Sequence, residues 1–172
     1  MIDVRHLTVN AFFVSLSLFL FAVESLLPPM FLPPGAKFGL ANVVTVAALY
    51  LLTEVDALII LSARIFLAGM FAPSPSTMIF SASGGLLSLS LMILLKRTGK
   101  FSVVGVSAAG GFFHNVGQLV AAIFFADNLK LVNYLPVLGV CGIFVGASIG
   151  LLAKEILRHL SCSLLSFGSK RK

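Results

Sequence analysis

The sequence predicts an all-α integral membrane protein, a six-transmembrane-helix bundle with both termini cytoplasmic. Three observations carry that prediction. Of the 172 residues, 59% are hydrophobic, and the mean hydropathy is +1.09. Only 10% are charged, against roughly 25% in a typical soluble domain. The apolar residues fall into runs separated by prolines, turns and charges, and the Lys and Arg residues gather at the ends of those runs, as membrane topology requires.

The elements follow in order. A first span is expected over residues 7–27, and Pro28 and Pro29 stop it because proline cannot continue a helix. The second covers 38–52. The apolar stretch 38–71 exceeds the ~20 residues of one span, so Thr53-Glu54-Val55-Asp56 is read as a break. The third span then covers 57–71, and Pro73-Ser74-Pro75 marks a turn. The fourth runs over 78–95, the fifth over 101–126 and the sixth over 134–157, with a polar turn at 127–133. Short connections leave no room for a soluble domain, so residues 1–172 are expected to form one six-span membrane domain.

Orientation rests on Lys and Arg. Arg5, the Lys96-Arg97-Lys100 group and the basic tail from Lys154 to Lys172 share one side, while Lys37 and Lys130 lie on the other. The basic side is cytoplasmic by the positive-inside rule, and a multi-pass chain of the plasma membrane is expected. The same placement argues against nucleic acid as the reason for the net charge of +6. No small-x-small cleavage site follows the first run, so it reads as a retained span rather than a signal peptide. Cys141 and Cys162 form no metal pattern and read as packing residues.

Polar and ionisable groups inside spans are costly and mark bundle interiors or solute paths. Here they are Glu24, Asn42, Arg64, Ser83, His114, Asn115 and Gln118. At ~1.5 Å per residue, Glu24 lies roughly 5 Å below the outer end of its span. By the same rise Asn42 lies about 6 to 8 Å below its own, and His114 and Gln118 climb roughly 20 and 25 Å from the inner side. Residues from separate spans thus share the outer half, as an outward pocket requires. His114, Asn115 and Gln118 are three and four apart, so they can share one helix face. Two readings stand for Arg64, a structural partner of Glu24 or a ligand contact. Two stand for Asn42, helix–helix glue or a ligand contact. His114 has no second His nearby and is not expected to hold a metal. No cofactor is expected.

The outward loop PPMFLPPGAK ends on Lys37 at the start of the second span. A cation beside a helix N-terminus with free N–H groups suits an anion or carboxylate; the other reading is a plain loop with one Lys at the headgroup level. Lys37 and Arg64 therefore permit an anionic solute, whereas Asn115 with Gln118 suits a heteroaromatic one. Small residues form two further patterns: Gly142, Gly146 and Gly150 in the sixth span, and Ala11 with Ser15 in the first. Both allow close helix approach. The glycines read as packing inside the bundle, and Ala11 and Ser15 as a surface for another membrane subunit.

The series Glu24-Ser25-Leu26-Leu27-Pro28, Pro34 to Asn42, Arg64, Gly84 to Leu89, Gly105-Val106-Ser107, His114 to Gln118 and Tyr134 to Leu138 resembles the Gx transporter family. That family is often labelled heptaprenyl diphosphate synthase component I, and the resemblance extends from about residue 11 to 154. The family in turn is similar to the substrate-binding S components of energy-coupling factor (ECF) transporters. The resemblance implies a six-helix fold and capture of a small vitamin-like solute from outside. It also implies docking onto a transmembrane coupling subunit and two ATPase subunits, through an AxxxA-type pattern that here becomes Ala11-x-x-x-Ser15. Prenyl diphosphate synthases hold Mg²⁺ on clustered carboxylates, but this chain has six acidic residues in all and no Asp-Asp-x-x-Asp. It also lacks GxxxxGK[ST] and so any ATPase motif. The chain is accordingly expected not to be an enzyme. Two alternatives are a non-catalytic membrane partner of a prenyl diphosphate synthase and a stand-alone proton-coupled carrier.

Overall fold

The computed structural model describes residues 4–26, 39–70 and 75–169. These residues form six α-helices and one 3₁₀ helix, with no strand among them. Helix α1 is Val4–Leu26, α2 Leu40–Leu51, α3 Glu54–Met70, α4 Pro75–Thr98, α5 Val103–Ala126 and α6 Leu135–Ser169. The helices fall where the apolar runs predict them, with two differences. The polar turn at 127–133 is largely a 3₁₀ helix, Leu129–Tyr134, and α6 continues beyond residue 157.

The span count is supported in part. Among the described residues, four segments are long and apolar enough to cross a membrane: His6–Leu26, Ser76–Thr98, Val103–Ala126 and Leu129–Leu160. The chain is a multi-pass membrane protein. Helix α2 has 12 residues, or roughly 18 Å at ~1.5 Å per residue, well short of a ~30 Å hydrocarbon core. Its ends explain its length: Gly39 before it is left-handed at φ 70, and Leu52 after it is extended. Helix α3 has 17 residues and carries Glu54, Asp56 and Arg64.

Helix α2 sits in the middle. It packs against α1, α3 and α6, and the α3–α4, α4–α5 and α5–α6 contacts close a ring around the core. Val43 through Leu49 are all buried, so α2 has no solvent face and its sequence no amphipathic stripe. Its Leu49 joins Ile60, Leu61, Leu89 and Val106 of the neighbouring helices in the core.

The tightest seam joins α5 to α6. A methyl group added at Gly142 would lie 2.6 Å from the Gly111 carbonyl oxygen, and one at Gly150 would lie 2.7 Å from Val104 Cα. The glycine series of α6 is therefore packing within the bundle, where small residues let two backbones touch. The Ser107 hydroxyl crosses the same seam to donate to the Gly146 carbonyl at 2.7 Å.

At the end of the bundle that carries Lys96 and Arg97, the charged residues are paired with one another and with the backbone. Thr53 and Asp56 form a capping box: Asp56 N–H donates to Thr53 Oγ1 at 3.1 Å, and Thr53 N–H donates back to Asp56 Oδ2 at 3.1 Å. Each satisfies an orphan donor at the start of α3. Asn10 Nδ2 of α1 donates to Asp56 Oδ1 at 2.8 Å, and His6 Nε2 lies 3.2 Å from Oδ2. Burial alone would raise the Asp56 pKa, but the hydrogen bonds from Thr53, Asn10 and His6 outweigh it and hold it at about 2. Lys96 Nζ donates to the Leu49 carbonyl at 2.5 Å, capping the C-terminus of α2. Arg97 pairs with Glu54 through two hydrogen bonds and holds that carboxyl below its ordinary value.

Candidate functional site

The opposite end of α2 begins with Glu24. Its carboxylate accepts from Gly39 N–H at 2.5 Å and Leu40 N–H at 3.0 Å. This is a helix N-cap supplied by another helix, and its negative charge suits the positive end of the α2 dipole. The cap places Asn42, one turn on, toward the interior. A methyl at Gly39 would meet Asn42 Nδ2 at 3.1 Å and Ile149 Cδ1 at 3.1 Å, so the glycine serves the close approach as well as the left-handed turn.

Asn42 joins two regions. On one side its Oδ1 accepts from Arg64 Nη2 of α3 at 3.3 Å. On the other it lines a cavity of about 40 Å³ together with His114, Asn115 and Gln118 of α5 and Cys141 of α6. A second space of about 20 Å³ continues from Asn42 and His114 toward Ser88, Met92 and Ser107. A third, of about 30 Å³, lies between α1, α3 and α4 and is bordered by Phe21, Arg64, Thr77, Met78 and Ser81. Each has room for water and no more, since a small-molecule pocket is typically ~300 Å³ or larger. Among the described residues, a solute therefore needs more room in this layer than these three cavities give.

The structure thus brings together Asn42, His114, Asn115 and Gln118 and ties Arg64 to them through Asn42. The remaining candidates are placed differently. Asn115 lines the cavity, yet its Nδ2 donates to the Leu138 carbonyl at 2.6 Å, so part of its polarity joins α5 to α6. Ser83 donates to the Gly117 carbonyl at 2.9 Å, a bond between α4 and α5, and borders none of the three cavities. Glu24 acts on the backbone of α2, and among the described residues no ion pair joins it to Arg64. Lys37 lies outside the described residues. Ala11 and Ser15 are exposed on α1, with the Ser15 hydroxyl returned to the Ala11 carbonyl at 2.9 Å.

Sequence reasoning passed over three groups. Cys141 reads as packing but borders the cavity; its signal is the four-residue spacing Cys141, Val145, Ile149, which puts all three on one face of α6. Asn10 and Ser17 are buried on α1, where Ser17 donates to the Ala41 carbonyl at 3.3 Å. Polar residues on one side of an otherwise apolar span are the signal for an inward face.

No curated protein and no solved structure matches this chain. The family model described as heptaprenyl diphosphate synthase component I matches residues 13–156, which takes in most of α1, all of α2 to α5 and α6 as far as residue 156. A match of that extent, on a multi-pass helical chain, places this protein in the heptaprenyl diphosphate synthase component I family, the Gx transporter family.

Proposed function

We propose that the chain is the membrane-embedded substrate-binding component of an ECF-type transporter. It captures a small vitamin-like solute from outside and passes it inward with a transmembrane coupling subunit and two ATPase subunits. In this reading all six helices cross the plasma membrane, both termini are cytoplasmic, and the chain itself catalyses nothing. The observation that supports it most directly is the polar layer around Asn42. Side chains from α2, α3 and α5 converge there on small cavities, under a helix start that Glu24 holds in place. Glu24, Lys37 and Ser83 belong to the site as its frame and approach, Asn42, Arg64, His114, Asn115 and Gln118 as its wall. Ala11 and Ser15, exposed on α1, are the docking surface.

A second reading follows from the family's own description: a membrane partner of a soluble prenyl diphosphate synthase. Affinity purification from mild detergent separates the two. Recovery of ATPase subunits supports the transporter, and recovery of a prenyl synthase without them replaces it. Cys141 offers a direct test of the pocket in a Cys162→Ser background. A medium extract that contains the solute slows alkylation of Cys141 if the cavity is the binding site. Unchanged alkylation alongside demonstrable binding moves the site elsewhere.

A further inference from the structure

We infer that the solute is an anion and that Arg64 is the group that receives its carboxylate or phosphate. This rests on the reading of the polar layer as a solute site and assigns the chemistry of what enters it.

Arg64 is only 8% exposed and lies near the middle of α3. A guanidinium carries five N–H donors in a planar fork and stays ionised. Among the described residues it makes one hydrogen bond, from Nη2 to Asn42 Oδ1 at 3.3 Å, and Nε is buried without any partner. The acidic residue whose charge acts on it is Glu24, at a distance and with a carboxylate that is held by Gly39 and Leu40 N–H. It forms no contact ion pair with Arg64. A buried cation with no contact ion pair among the described residues and with unmade hydrogen bonds is costly, and the cost is relieved when an anion supplies both charge and acceptors.

The surroundings suit an oxyanion. The cavity beside Arg64 is bordered by the side chains of Thr77 and Ser81 as well as by Phe21, Ile65 and Met78. A guanidinium with hydroxyls nearby and apolar walls binds a planar carboxylate or a phosphate in a forked geometry that Lys cannot reproduce. Asn42 stands between this cavity and the one lined by His114 and Gln118. The solute's charged end therefore lies on the α3 side of Asn42 and its neutral body on the α5 side. The charge at the other end of the bundle is arranged in the opposite way: Asp56, Glu54, Lys96 and Arg97 all have partners within the chain.

The test uses two pairs of probes that differ in charge but little in shape: benzoate against benzamide, and phenyl phosphate against phenol. Thermal unfolding of the purified chain in detergent, at constant ionic strength, reads binding as a rise in midpoint. The anionic member of at least one pair is expected to bind about tenfold or more tightly than its neutral partner, the worth of a charge-assisted fork. Arg64→Gln removes that preference and Arg64→Lys restores part of it. Equal binding of both members, or no binding by either, in the wild-type protein overturns the assignment without needing any variant. A preference for the anion that survives in Arg64→Gln overturns it as well. Cys141 alkylation, followed in parallel, keeps the two readings apart: protection by a neutral probe equal to that by its anion leaves the pocket standing and removes only the anion.

Discussion

The two ends of α2 are built from similar residues and arranged in opposite ways. At the end near Lys96, the ionised groups of the cluster have partners: Asp56 takes hydrogen bonds from Thr53, Asn10 and His6, Lys96 caps a carbonyl, and Arg97 meets Glu54, while the neutral Asn10 Oδ1 stays without one. At the end near Glu24, the backbone is capped but Arg64 retains unused donors, and cavities lie on both sides of Asn42. Polar groups in a low-dielectric interior stabilise a fold when they are fully paired and are expensive when they are not. The first arrangement fastens helices together. The second keeps bonding capacity in reserve, which fold stability alone gives no reason to keep.

Perturbing the paired end gives the largest expected change. Asp56→Asn removes an ionised acceptor and leaves donors on three residues short of a partner, which costs about 2–4 kcal/mol. The unfolding midpoint in detergent falls, with solute affinity unaltered where the chain is still folded. The pH dependence carries a defined sign. The folded carboxyl titrates at about 2, below the ~3.9 of an unfolded Asp. Its contribution is fully present above about pH 4 and is lost as pH falls through the folded value. The gap in stability between wild type and Asp56→Asn should therefore narrow between about pH 4 and 2. A gap that widens with acidification contradicts the pairing described here.

The open end behaves differently under substitution. Gln118→Ala removes hydrogen-bonding groups from the cavity wall, weakening solute binding by roughly 2- to 15-fold for a loss of ~0.5–1.5 kcal/mol. Stability is nearly unchanged. Asn115→Ala lowers both quantities, because its amide also bonds the Leu138 carbonyl. Titration calorimetry and thermal unfolding on the same samples resolve the two effects. If Gln118→Ala destabilises the fold as much as Asn115→Ala, the cavity wall is structural.

Two smaller effects mark the limits of the contrast. Replacing Ala11 and Ser15 together by Leu should weaken assembly with a coupling subunit while the isolated chain binds its solute as before, since both residues are exposed. An undiminished complex on gel filtration would move the docking surface elsewhere. Arg97→Ala should leave the unfolding midpoint unchanged within measurement, because exposed ion pairs contribute little. A clear drop would mean that this pair belongs with Asp56 in one cooperative cluster.

Much of the open end was legible in the sequence. Asn42, His114 and Gln118 could be set at one depth by counting residues along apolar runs, and the structure brings them to one cavity. The paired end was not. Lys96 and Arg97 read only as topological signals, and Glu54 and Asp56 only as a break in hydropathy. Their partners are a carbonyl 47 positions away and an amide 46 positions away, and no periodicity records such pairings. Glu24 was missed as a cap for the same reason: its acceptors meet backbone N–H groups, which every sequence position carries. The length of α2 was overestimated because hydropathy continues smoothly through Gly39 and Leu52, where the backbone leaves the helix.

The capping of α2 has a consequence for motion. A carboxylate from α1 closes its first turn and an ammonium from α4 closes its last, so neither end depends on its own connecting segment. A short helix frays from its ends; this one is clamped at both by charges of the sign its dipole favours. Its amides are then expected to exchange with deuterated solvent only when the whole bundle opens. Any parting of helices that admits a solute must accordingly turn about α2, the fixed post of the molecule.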